Sequence, residues 1–482
     1  MPISNITVKR LDAFKEKIVI TLSGKPSGPV SVSVFSPAVG ERLLLGKNDV
    51  EAEDNKLVID RYITGRDGAF LRYETPFEGP VFVSYVEPEF DYGYPEGLSK
   101  KGLQISDPVD AEVLGVKHTA INVAITDVMK KTPSDSTEPF EFDGHTYYVD
   151  MSEIRSYDER FREFTKRGIL VNLILLCGKH WRQYVPEEMK PILLHPDYND
   201  EGTLSAFNTV TDEGVRWYQA FVTYLAKRYG DPASTVGRIY GMIISNEVQS
   251  QWIWGNAGEK TCAEFAKHYT MAMRLAWVAA SSVSSAIRIY ASLDHFWGRA
   301  MDPSKPTRFY GALELLSEIR KLAKSEGDFY YNIAHHPYPQ DLSMPDFWND
   351  TTATDDDDTM RITFKNLEVL ARFIYKEENL FEGRRRRIIL SEQGFNSKWT
   401  PESEILQATA YGRAYRKVME IPEIDSFILH AHRDNAEEFG LNLGVWRRKK
   451  DSNEIDAPKP IYYLMKAIDT VDDTGHFVWQ RF

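Results

Sequence analysis

The sequence predicts an α/β protein, a (β/α)8 TIM barrel with a small β-sandwich in front of it. Three observations carry this. Eight short apolar segments follow one another between Lys100 and Ala431. Amphipathic helical patterns fill the intervals between them, which is the rhythm of parallel βα units. Before about residue 96 the chain offers only short β-like segments broken by Gly and Pro.

In residues 1–95 these segments are KIVITLSG, GPVSVSVFSP, NKLVIDRYI, AFLRYET and GPVFVSYVEP, rich in Val, Ile, Phe and Tyr. Their spacing is that of a small β-sandwich, and no catalytic cluster is visible in it. The catalytic barrel is expected over 96–482. Its strands are predicted at 100–105, 117–125, 169–177, 238–245, 287–293, 329–335, 387–392 and 425–431. Between strands three and four, Val215, Tyr218, Val222 and Leu225 recur at helical spacing, with Asp212 as the expected N-cap and Gly230 as the stop. The polar stretch 130–150 interrupts the pattern and reads as an insertion with a hairpin turn. Eight strands with helices over nearly 400 residues suit a TIM barrel with long loops.

Composition narrows the function. A chain of 482 residues with 42% hydrophobic residues is globular, and no window approaches the roughly 18 apolar residues a membrane helix requires. The net charge of −13 argues against nucleic acid as a partner. The one basic run, Arg384 to Arg387, abuts an apolar strand and is expected to be a solvated turn; the acidic run Asp355 to Asp358 lacks the spaced oxygens of a calcium loop. Cys177 and Cys262 alone cannot form a disulfide framework. The N-terminus carries no signal-like apolar stretch, so cytoplasmic residence is expected for the chain as given, or secretion if a signal has been removed.

A TIM barrel builds its active site at the C-terminal ends of its strands. There the fourth strand ends on Ser245-Asn246-Glu247 and the seventh on Ser391-Glu392-Gln393. The third delivers His180 and Trp181, the fifth Asp294, His295 and Trp297, the sixth His336 and Tyr338, the eighth His430 and His432. Two carboxylates at opposite mouths are what glycoside hydrolysis needs, one to protonate the leaving oxygen and one to attack or to activate water. Their environments must differ so that one stays ionised while the other keeps its proton. The histidines show no clustered ligand spacing, so no metal or other cofactor is expected.

SNE closing strand four and LSEQGF closing strand seven resemble clan A of the glycoside hydrolases, the retaining barrel enzymes that include the family-5 cellulases. The resemblance implies that Glu247 is the general acid/base, Glu392 the nucleophile, and Asn246 a ligand of the sugar 2-hydroxyl. It further implies that His336 lines the donor-sugar site, that Tyr338 donates to Glu392, and that His180 takes the place of the histidine that often ends strand three. Two departures stand out. An arginine near the end of strand two is replaced by Asn122 and Asp127, and the tryptophan that often ends strand eight is replaced by His430 and His432, with Trp446 as a displaced candidate.

Trp252 and Trp254 follow Glu247 directly, and indole faces suit sugar C–H bonds. They are expected to form a platform, with Trp181 and Trp297 as further candidates and Asp294 as a hydroxyl ligand. The function expected is a retaining β-glycosidase whose partner is a polysaccharide or oligosaccharide. The alternatives are an arabinofuranosidase or transglycosylase of the same clan, and a carbohydrate-binding protein with an inactive barrel.

Overall fold

The computed structural model describes residues 6–178 and 185–470. Eight parallel strands close into a barrel in chain order: Lys101–Leu103, His118–Ala124, Leu170–Leu176, Ile239–Ile244, Arg288–Leu293, Tyr331–His335, Ile388–Leu390 and Ile424–Leu429. Seven fall within the segments predicted above, and the eighth begins one residue earlier than predicted, at Ile424. Closure brings the eighth strand against the first, with Ile428 opposite Gly102. A Cβ at Gly102 would lie 2.9 Å from the Ile428 Cα, so only glycine permits this approach.

Alternation along the strands sorts side chains to two cores. Ala120, Ala124, Ile174, Leu176, Ile243, Tyr290, Ala334, Ile389 and Ile428 form one buried cluster, which fills the barrel lumen. The residues between them face the helical layer and join the main core. Continuing the lumen rows by two residues beyond Tyr290, Ala334, Ile389 and Ile428 reaches Ser292, His336, Ser391 and His430.

Two small sheets precede the barrel. One holds Val8–Ala13, Lys17–Leu22, Ala52–Glu53, Lys56–Asp60 and Tyr85–Val86; the other holds Val30–Phe35, Leu44–Val50 and Arg72–Glu74. Their pairings are antiparallel except that Tyr85–Val86 runs parallel to the first strand. The apolar faces merge with the outer core of the barrel. Arg66 fixes the contact by donating to both oxygens of Asp212, at 2.7 and 2.6 Å. Arg274 is wholly buried and stacks between Phe82 and Phe329, 4.7 Å from each ring.

The insertion is a three-stranded sheet, Met129–Lys130, Thr137–Phe142 and His145–Asp150. Its hairpin turns at Asp143-Gly144, both with positive φ, as a tight two-residue turn requires. Two expectations are corrected. The N-cap of helix Asp212–Tyr229 is Thr211, whose hydroxyl accepts from the Gly214 amide, because Asp212 is committed to Arg66. The arginine run is not uniformly solvated: Arg386 is buried and donates to the carbonyls of Phe329, Tyr331 and Asn379. Among the described residues no helix is long and apolar enough to cross a membrane.

Candidate active site

The fourth strand leaves the barrel by a strained turn. Ser245 and Glu247 both adopt the left-handed region, with φ of 61° and 41°, a conformation that non-glycine residues keep only where their surroundings enforce it. The enforcing contacts run through Tyr269 on helix Cys262–Val283. Its hydroxyl donates to the Ile244 carbonyl at 2.7 Å and accepts from the Ser292 amide at 3.0 Å, pinning strands four and five together. The Ser292 hydroxyl in turn accepts from the Glu247 amide at 3.0 Å. Asn246 lies between them, half-buried.

These contacts hold the Glu247 backbone at the end of strand four. One oxygen of Glu247, one of Glu392 and a ring nitrogen of His336 lie within 4.8 Å of one another. His336 is 1% exposed. Its Nδ1 lies 2.9 Å from Oε1 of Glu247 and its Nε2 2.9 Å from Oγ of Ser391. Both ring nitrogens are therefore engaged by the protein. Tyr338 donates its hydroxyl to Oε1 of Glu392 at 3.2 Å.

Burial of Glu392 disfavours its charge, but the charges of His336 and His430 and hydrogen bonds from Tyr338 and Gln104 outweigh this and hold the pKa below the ordinary carboxylate value. Burial likewise acts to lower the His336 pKa, and the bond to Glu247 with the charge of Glu392 reverses it, so this pKa is raised. Asp294 shows the opposite balance. Burial, followed by the negative charge of Glu247, pushes it up to about 7.

The remaining candidates divide. Trp254 packs, partly buried, against the lumen cluster at the barrel mouth. Trp297 is wholly buried, with its indole N–H on the Asp357 carbonyl and its ring edge-on to Phe373, so it cannot meet a substrate. Trp252 is also buried; Arg308 covers its ring at 3.8 Å and its N–H points to Glu201, which removes it from the expected platform. Asp294 is buried and accepts from the Ser250 hydroxyl and the Phe296 amide, so its oxygens tie together the loops after strands four and five rather than serving a ligand. His432 and Trp446 both bond to Asp110, at 2.6 and 2.7 Å. His430 faces Gln104 and Glu438, at 2.6 and 3.2 Å. Asn122 is exposed on the second strand, while Asp127, pushed up to about 6 mainly by burial, belongs to the short helix that follows. His180 and Trp181 lie outside the described residues.

Sequence reasoning missed Gln104, Ser292, Ser391 and Glu438. For the two serines the signal was present, because each lies two residues beyond a lumen-facing residue of its strand.

The model of a family of unknown function, DUF5722, matches residues 93–478. None of the curated proteins matches the chain. Among solved structures the chain is similar to a family 39 glycoside hydrolase from the gut symbiont Bacteroides cellulosilyticus WH2, at 14% identity over 96% of this chain and 82% of that one, with a TM-score of 0.49. It is also similar to a hyperthermophilic beta-glucosidase from Pyrococcus furiosus, at 13% identity over 75% and 83% with a TM-score of 0.46. A family 1 beta-glucosidase from Thermotoga maritima aligns at 10% identity over 75% and 84%, also with a TM-score of 0.46.

Proposed function

The chain belongs to the DUF5722 family, and for this member we propose retaining hydrolysis of β-glycosidic bonds in a polysaccharide or oligosaccharide. The observation that supports it is the close approach of Glu247 and Glu392 at the mouths of strands four and seven, with oxygens within 4.8 Å. Retaining glycosidases hold their carboxyls about 5–5.5 Å apart, whereas inverting ones leave about 6.5–9.5 Å for a water. A closest approach within 4.8 Å supports the retaining reading over the inverting one.

In the first step a carboxylate oxygen of Glu392 bonds to the anomeric carbon as the bond to the leaving oxygen breaks. The proton of Glu247 passes to that oxygen, and the alcohol departs. In the second step Glu247, now ionised, takes a proton from water as the water oxygen bonds to the anomeric carbon. The bond to Glu392 breaks as the new bond forms, releasing the sugar with its original configuration and returning both carboxyls to their starting states. Tyr338 and His336 keep the two groups oriented through both steps.

A panel of aryl β-glycosides, assayed with the native protein and with Glu392→Gln, tests this reading. Loss of turnover in the variant is expected, with a β-configured product seen first by NMR in the native reaction. Equal rates for the two proteins would sink the nucleophile assignment.

A further inference from the structure

We propose that His430 is held as an imidazolium and acts as the positioning cation of Glu392, with Gln104 and Glu438 fixing its two protons. The proposal rests on the reading of Glu392 as the nucleophile. The resemblance implies an arginine near the end of strand two, and this chain carries Asn122 and Asp127 there instead. Positive charge reaches the nucleophile from other rim residues, with His336 as one source.

The hydrogen-bond partners define the charge. The amide nitrogen of Gln104 donates to the Ser391 carbonyl at 3.2 Å, which fixes the orientation of the amide and leaves its oxygen facing His430. That oxygen lies 2.6 Å from Nδ1 of His430 and can only accept, so Nδ1 carries a hydrogen. Nε2 faces the Glu438 carboxylate at 3.2 Å, which also only accepts, so Nε2 carries one too. An imidazole that donates from both nitrogens is a cation.

The groups around it come from several elements. Glu438 belongs to the loop after strand eight, Glu392 to the end of strand seven and Glu247 to the end of strand four, while strand one contributes the neutral Gln104. The Tyr338 phenol from the loop after strand six sits on the same Glu392 carboxylate. Burial works against the charge of His430, but the bond to Glu438 and the charges of Glu392, Glu438 and Glu247 outweigh it, so its pKa is raised. Its charge in turn helps to hold Glu392 ionised. The His430 ring and the nucleophile thus stabilise each other's ionised forms.

The test is NMR on the full chain. Ring nitrogens are followed with 15N-histidine label and His430 is assigned by difference from His430→Gln. Carboxyl carbons are followed with 13C label and Glu392 is assigned by difference from Glu392→Gln. Both His430 nitrogens are expected to be protonated at pH 7, and in Glu438→Gln the ring is expected to lose its proton at lower pH. In His430→Gln the Glu392 titration is expected to move to higher pH, and kcat/KM on an aryl β-glycoside to fall about tenfold or more. A ring that is neutral at pH 7, or a Glu392 titration unmoved by replacing His430, overturns the proposal. If His430→Gln does not fold, Glu438→Gln carries the same test, since an unshifted His430 titration there overturns it equally. Native protein that shows the protonated ring but hydrolyses no glycoside would defeat the glycosidase reading and leave the charge assignment standing.

Discussion

The hydroxyl of Tyr338 donates to Oε1 of Glu392 across 3.2 Å, joining the loop after the sixth strand to the mouth of the seventh. A bond to an ionised acceptor contributes about 1.5–3 kcal/mol, and this one is among the contacts that offset the burial of Glu392. Tyr338→Phe is expected to lower kcat/KM about ten- to hundredfold on an aryl β-glycoside, as that energy implies. The sign of the pH effect follows from the same bond. Glu392 attacks only when ionised and its pKa is held down in part by Tyr338, so the acid limb of the profile is expected to move to higher pH in the variant. An acid limb that stays in place would mean that the phenol does not act on the nucleophile.

The strands that build this site were legible because each is a short apolar run flanked by polar turns, and the order of the runs leaves a closed parallel barrel as the economical arrangement. Glu247, His336, Tyr338 and Glu392 were legible because they terminate those runs. The aromatic candidates were not separable by the same means. Trp252 and Trp254 alternate in sequence, yet a turn of helix, Gln251–Trp254, sends one beneath Arg308 and leaves the other against the lumen. Trp297 sits at a strand end as a ligand-binding ring would, but the loop after strand five folds over it and buries it. Which ring a loop covers depends on backbone turns that residue spacing does not encode. Gln104 and Glu438 were hidden for a different reason. Their importance lies in what they face across the barrel, on His430, and neither neighbours it closely in sequence.

The aromatic residues offer a direct comparison. Trp254 lies half-exposed at the mouth, and Phe439, 82% exposed, sits at the tip of the loop whose Glu438 reaches His430. A ring that stacks on sugar contributes to binding in ground and transition states alike. Trp254→Ala and Phe439→Ala are therefore expected to raise KM severalfold with little change in kcat on an oligosaccharide. Trp252→Ala is expected to act on folding instead, destabilising by about 3–5 kcal/mol as large-to-small replacements of buried rings do. Steady-state kinetics beside thermal denaturation separates the two effects, and a KM change confined to Trp252→Ala would reverse the assignment.

The pair between Arg66 and Asp212 predicts how the N-terminal sheets answer to acid. Both side chains are 13% exposed and the contact is bidentate, so its loss is expected to cost about 1.5–3 kcal/mol. Burial alone would raise the Asp212 pKa, but the hydrogen bonds from Arg66 and Ser36 and the charge of Arg66 outweigh it and hold it below the ordinary value of 3.8. A carboxyl whose folded pKa is depressed binds fewer protons folded than unfolded. Its contribution is complete above the unfolded value and is lost as pH falls through the folded one. Arg66→Gln is therefore expected to melt below the native protein by a constant margin from neutral pH down to about pH 5, and the margin is expected to shrink below about pH 4 as Asp212 takes up its proton. Thermal midpoints of both proteins across pH 3–7 check this. A margin that persists undiminished at pH 3 would assign the loss to packing of the arginine rather than to its charge.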